Sequence, residues 1–247
     1  MAASRDLATD PTLQEALLTA RRGTEFFDRK LNELPDDAFQ APSLLPDWTR
    51  AHVIAHVGYN ARAIARLMKW ANTGIETPMY SSWDARNAEI EHGATLAPEE
   101  LRDLYTDSAA QLDAAWRDTP PDAWKHQVKT AQGRLVPASE TVWMRTRETW
   151  IHAVDLNNGA TFDQIPTDVL KRLLQEITGA WKSRDEDKDL LLKASDASTV
   201  TELGDLDSDN PEIITGTLAD IAAFAAGRST NGITSSKQQS PTAPRWL

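Results

Sequence analysis

Apolar residues return every three or four positions through most of the first 160 residues, and that period predicts helices. Pro11 opens the first helix, which runs to about Leu34 with Leu13, Leu17, Ala20, Thr24, Phe27 and Leu31 on its packed stripe. Leu34-Pro35-Asp36-Asp37 ends it, and a loop holding Pro42 and Pro46 leads to Asp47 or Thr49, either able to cap a second helix from His52 to about Trp70. Val53, Val57, Ile64 and Leu67 mark the core side of that helix, while His56, Asn60 and Ala63 share an adjacent edge that can face a cavity. Ser82 caps a short helix carrying Trp83, Arg86 and Asn87 on one face. Pro98-Glu99-Glu100 opens the third long helix, striped by Leu101, Leu104, Tyr105, Ala109, Leu112 and Trp116. Pro120-Pro121 and Gly133 then break the chain, with a short extended excursion around Val128 and Leu135. From about Ala138 to Asn157 there is no glycine or proline, and a fourth long helix is predicted.

Beyond Asn157-Asn158-Gly159 the pattern changes. A helix from about Asp168 to Trp181 and a charged, solvated turn from Arg184 to Asp189 come first. Leu190-Leu191-Leu192-Lys193 and Ser198 to Leu203 then read as short strands in a hairpin or meander. Asn210-Pro211-Glu212 reads as the start of a helix, with Ile214, Leu218, Ile221, Ala222 and Ala225 turned inward and Gly227-Arg228 as its stop. Residues from Ser229 to Pro244 are polar and expected to be loose. The expected fold class is therefore α+β, with a four-helix bundle over residues 1–160 and a small α+β domain with a polar tail over 161–247.

Composition narrows the chemistry. A formal charge of -11 argues against nucleic acid or an anionic membrane as partner, since both select basic surfaces. No apolar run approaches a membrane span and the first residues lack the pattern of a signal peptide, so a cytoplasmic protein is expected. The chain has no cysteine, which excludes disulfides and any protein-supplied thiol nucleophile. Nine tryptophans against three tyrosines point to deep helix packing or to an aromatic-lined pocket.

On the fourth helix Glu148 and His152 stand four residues apart, so a carboxylate and an imidazole lie one turn apart on one face. Two such groups can hold one edge of a divalent ion, and a third must come from elsewhere. His56, in the opening turns of the second helix, is a candidate. Two histidines and one glutamate with an open fourth position make a catalytic zinc set. The ordinary alternatives are a helix-surface contact for the pair and a hydrogen-bonded core histidine for His56. Arg86 can meet an anionic substrate through its fork, the alternative being an ion pair with Glu89 or Glu91.

Trp48-Thr49 leading to His56, Trp83-Asp84-Ala85-Arg86-Asn87 followed by Glu89-Ile90-Glu91, and Glu148 with His152-Ala153-Val154-Asp155-Leu156 resemble the mycothiol-dependent maleylpyruvate isomerase family. The resemblance covers nearly the whole chain. It implies a DinB-like metal-binding bundle followed by a small α+β domain whose helix ends in a Gly-Arg pair, here Gly227-Arg228. It also implies zinc held by His56, Glu148 and His152, and it selects His56 over His52 as the ligand that follows Trp48-Thr49; His52 is read as an outer or surface residue. Arg228 is implied as the catalytic arginine, with Arg86 next, and Trp83 and Asn60 are the candidates for contact with the thiol cofactor.

The resemblance implies isomerisation of maleylpyruvate to fumarylpyruvate, as in gentisate-type degradation of aromatic compounds. A cis double bond isomerises if a thiolate adds, the resulting single bond turns, and the thiolate leaves. With no cysteine in the chain, that thiol is brought in as mycothiol, and zinc favours its thiolate form. The partners expected are a small dicarboxylate and a low-molecular-weight thiol, with a monomer as the default. Two other classes compete: a zinc- and mycothiol-dependent transferase, which would leave a stable conjugate, and a non-enzymatic metal-stabilised binding module.

Overall fold

The computed structural model describes residues 6–195, 201–237 and 240–246, and the chain divides into two compact units, Met1–Ala160 and Thr161–Leu247. In the first unit, the long helices begin where side chains satisfy free backbone donors. Asp10 accepts from the Leu13 amide and Pro11 takes the first helical position, which opens α1 (Pro11–Asn32). Thr49 caps α2 (Arg50–Thr73), and His52 answers it, its Nδ1 lying 2.7 Å from Thr49 Oγ1 and accepting from the Thr49 amide. Asp47, the alternative cap, instead takes a left-handed backbone at φ 64°. Gly74, at φ 71°, ends α2 in the conformation glycine adopts without a Cβ clash. Ser82 caps α3 (Trp83–Gly93) as its sequence indicated. Pro98 opens α4 (Pro98–Arg117), and α5 spans Glu140–Asp155.

α2 is the central element. It packs on α4, α3 and α5, and its middle is buried on nearly every side, with Val53, Ile54, Val57, Ile64, Leu67 and Met68 fully enclosed. Each such side chain contributes roughly 1.5–3 kcal/mol by leaving water. α1 packs along α5, and Gly23 marks the crossing: a Cβ there would lie 2.5 Å from Thr149 Oγ1 on α5. On α4 the buried stripe runs through Leu101, Leu104, Tyr105, Ser108, Leu112 and Trp116, with Ser108 taking the place expected for Ala109. The extended excursion is a hairpin, β1 (Gln127–Lys129) against β2 (Leu135–Pro137), whose paired Val128 and Val136 point into the bundle core. Arg50 fixes the start of α2 to the end of α5, donating from Nε to Leu156 O at 2.6 Å and from Nη2 to Asn157 O at 2.6 Å. This is the favourable placement of a cation at a helix C-terminus, and it sets the two site-bearing helices side by side.

The second unit holds α6 (Thr167–Ser183), α7 (Leu218–Ala225) and a four-stranded sheet whose strands lie in the order β4 (Thr201–Gly204), β3 (Leu190–Ala194), β5 (Glu212–Gly216) and β6 (Thr234–Ser235). β3 (Leu190–Ala194) pairs antiparallel with β4 (Thr201–Gly204), as the expected hairpin would; residues 198 to 200 of that expected strand lie outside the described residues. The helix expected from Asn210 does not start there. Glu212–Gly216 is β5, parallel to β3, and the helix begins only after Thr217, which accepts from the Asp220 amide in a capping box. Glu212-Ile213-Ile214-Thr215 is rich in β-branched residues, and a strand on each side satisfies its backbone. Part of the segment expected to be loose is paired: β6 (Thr234–Ser235) runs antiparallel to β5. In the turn, Asp187 is buried instead of solvated. Most tryptophans serve packing, with Trp116, Trp124, Trp143, Trp150, Trp181 and Trp246 enclosed. No described helix is long and apolar enough to cross a membrane.

Candidate metal centre

α2 presents His56 and α5 presents Glu148 and His152 to one point between them. One donor atom from each residue lies within 4.8 Å of the others. Glu148 Oε2 is the hub, 2.8 Å from His56 Nε2 and 3.3 Å from His152 Nε2. The other carboxylate oxygen, Oε1, takes a contact from Arg147 Nη2 at 3.3 Å. The two imidazoles meet edge to face with centroids 4.9 Å apart, and Trp48 packs its ring 5.5 Å from that of His56. The three side chains are only 9–13% exposed.

Asp155, fully buried, lies one turn beyond His152, its Oδ2 2.8 Å from His152 Nδ1. A carboxylate behind a ligating histidine fixes its tautomer and aims its other nitrogen. The electrostatics follow from this wiring. Burial opposes ionisation of Glu148, yet hydrogen bonds from His152 and His56 hold its carboxyl well below the usual carboxylate range. Burial likewise opposes protonation of His152, but Asp155 and Glu148 raise it above the ordinary 6.5. Among the described residues only the Glu148 carboxylate acts on His56, and burial above all pushes it down to about 4. The neutral His56 has its Nδ1 3.3 Å from Arg86 Nη2.

Arg86 makes no ion pair with Glu89 or Glu91. It faces His56, Asn87 Oδ1 and the rings of Tyr80 and Trp83, with its Cζ 5.8 and 5.7 Å from the two centroids. It also lines a cleft of 280 Å³ with Arg66, Tyr80, Ser81 and Glu89 among its walls. Trp83 is 52% exposed. Asn60 is buried, and its Oδ1 accepts from Arg145 Nη1 at 3.2 Å. Arg145, 1% exposed on α5, also donates to Val57 O at 2.7 Å, while its Nη2 meets no acceptor among the described residues. His52 stands outside the cluster, held by Thr49 and 3.5 Å from Glu91. Arg228 belongs to the second unit: it follows Gly227 (φ 71°) at the end of α7, and its Nη1 donates to Ala226 O.

Sequence reading did not single out Asp155, Tyr80, Arg66 or Arg145. The three-residue spacing from His152 to Asp155 was the available signal for the first. The others depend on how helices and loops meet.

Residues 20–157 match the family model described as the mycothiol maleylpyruvate isomerase N-terminal domain. The chain is 50% identical to a protein whose structure is described as that of the mycothiol-dependent maleylpyruvate isomerase, with a TM-score of 0.91 over 95% of this chain and 97% of that one. A histidine-to-alanine mutant of that isomerase gives the same identity, coverage and score. No curated protein matches.

Proposed function

The chain belongs to the mycothiol maleylpyruvate isomerase family, and on that premise we propose that it converts maleylpyruvate to fumarylpyruvate with zinc and mycothiol as cofactors. The observation that carries this reading is the convergence of His56, Glu148 and His152 next to an arginine-lined cleft, in a chain without cysteine. Two imidazole nitrogens and one carboxylate oxygen suit zinc, and three protein donors leave a position open, as catalytic sites require. When bound, zinc supplies the charge that favours a thiolate over a thiol at neutral pH.

The chain's own residues do the rest. Asp155 holds His152 by Nδ1 and turns Nε2 to the metal position. Arg147 occupies one Glu148 oxygen and leaves the other to the cluster. With His56 Nε2 given to the metal, His56 Nδ1 carries the proton, and Arg86, which has only donors, is left for an anion. Arg228, through the family resemblance, stabilises the negative charge that develops on the keto oxygen. Trp83 and Asn60 contact the thiol cofactor, Asn60 through its amide nitrogen because Arg145 takes the oxygen. We place this activity in the cytoplasm, in gentisate-type aromatic degradation, carried out by a monomer. The charge of -11 supports the absence of a nucleic-acid or membrane partner.

The test follows both product and thiol. Protein freed of small thiols should form fumarylpyruvate only when mycothiol is added, and the thiol should be recovered unchanged. Undiminished turnover without thiol ends the proposal, and a stoichiometric conjugate makes the protein a transferase. Asp155→Ala should weaken zinc affinity roughly 10- to 100-fold with helix content retained. Zinc titration of the metal-free variant measures this, and wild-type affinity would reduce Asp155 to a helix-end packing residue.

A further inference from the structure

On α3 the sequence draws attention to Trp83 and Arg86, and the structure adds Arg66 from α2 and Tyr80 from the loop between the two helices. Two guanidinium groups stand close to the ring of Tyr80, with Arg66 Cζ 5.9 Å and Arg86 Cζ 5.8 Å from its centroid. All three line the 280 Å³ cleft, and Arg86 also reaches to 3.3 Å from His56. Arg66 is fixed before any ligand arrives: its Nε and Nη2 both donate to the carbonyl of buried Met79, at 2.8 and 2.5 Å. Its Nη1 meets no acceptor among the described residues. Glu89 is the one carboxylate among the lining residues, so two guanidiniums against it leave a single positive charge in excess.

We propose that Arg66 and Tyr80, with Arg86, form a subsite for one carboxylate of the substrate beside the His56 cluster. This rests on the dicarboxylate reading above and adds two residues to it. The cleft is at the small end of ligand pockets, which run from about 300 to 1,000 Å³, so it suits a short acid and not the bulk of a sugar-bearing thiol. Its excess charge matches one carboxylate. A forked guanidinium held in place presents N–H donors in the geometry a carboxylate accepts, and the phenol O–H of Tyr80, which lines the same cleft, is a further donor.

The competing role for Tyr80 is to pin the loop by its ring. Tyr80→Phe separates the two, because phenylalanine keeps the face that both cations meet and loses only the hydroxyl. The measurement is calorimetric binding of maleate, with its dimethyl ester as the uncharged control, to the zinc-loaded enzyme without thiol. Wild-type protein should bind maleate and not the ester. Tyr80→Phe should weaken maleate roughly tenfold, and Arg66→Met at least as much, with zinc content unchanged. For maleylpyruvate, KM should rise in Tyr80→Phe with kcat nearly kept. No measurable maleate binding by wild type, or a Tyr80→Phe affinity within about twofold of it, overturns the subsite. Weaker maleate binding in both variants of a protein that does not isomerise maleylpyruvate would keep the subsite and remove the reaction. Active wild type with unaltered variants would do the reverse.

Discussion

His152→Ala is expected to strip the protein of nearly all bound zinc and to lower kcat/KM on the order of a thousandfold, the effect of losing several kcal/mol of charge stabilisation. The variant removes one of three converging donors and leaves buried Glu148 short of a partner. His52→Ala, in contrast, should keep its zinc, because His52 serves the α2 cap and lies near Glu91, away from Glu148. Elemental analysis and melting temperature on both variants decide the matter. Full zinc in His152→Ala, or loss confined to His52→Ala, would overturn the ligand assignment. The pH response carries a sign of its own. In metal-free protein His152 titrates above the ordinary 6.5, so its contribution to stability is complete below 6.5 and is lost as pH rises through the folded value. Zinc needs that same nitrogen deprotonated, so zinc affinity should rise over the window in which metal-free stability falls. His56, already neutral, adds no proton to this exchange near neutrality.

Arg228→Ala is expected to lower kcat/KM roughly a hundredfold or more while zinc content and helical signal stay at wild-type levels. The structure gives Arg228 an ordinary task as well. Gly227 reverses the chain after α7, the Arg228 amide donates to Ala223 O at 2.8 Å, and the guanidinium donates to Ala226 O. A cation on helix-terminal carbonyls contributes about 0.3–1 kcal/mol. That role alone would show as a small fall in melting temperature with near-normal turnover. Arg228→Lys refines the test, since lysine keeps the charge at the helix end and loses the planar fork. Strong loss in both variants with intact metal supports a requirement for the guanidinium. Near-normal rates in Arg228→Ala would leave it a helix-end residue.

The helices were legible because their signals are local. Asp10, Thr49 and Ser82 cap, Pro11 and Pro98 open, and a three- or four-residue apolar period runs between them. β5 was illegible for a related reason. Asn210-Pro211 carries a helix-opening signal, Ile213 and Ile214 fit either period, and the strand is decided by pairing with β3 and β6. Glu148 and His152 could be found by spacing, and His56 was selected by the family resemblance of Trp48-Thr49 and the residues that follow it. Arg66, Tyr80 and Arg145 had no such signature. Arg145 in particular reads as a polar position on a helix, yet it lies buried against Val57 and Asn60 of a different helix.

His56 and Glu148 are 92 residues apart in the chain. An ion held by both would close a loop that contains α3, α4 and the β1–β2 hairpin. In a chain without cysteine this is a reversible counterpart of a disulfide. On the disulfide scale, closing a loop of that length removes unfolded-state entropy amounting to roughly 4–5 kcal/mol. The same ion that prepares the thiol would then staple α2 to α5, so zinc starvation would reach the fold as well as the reaction.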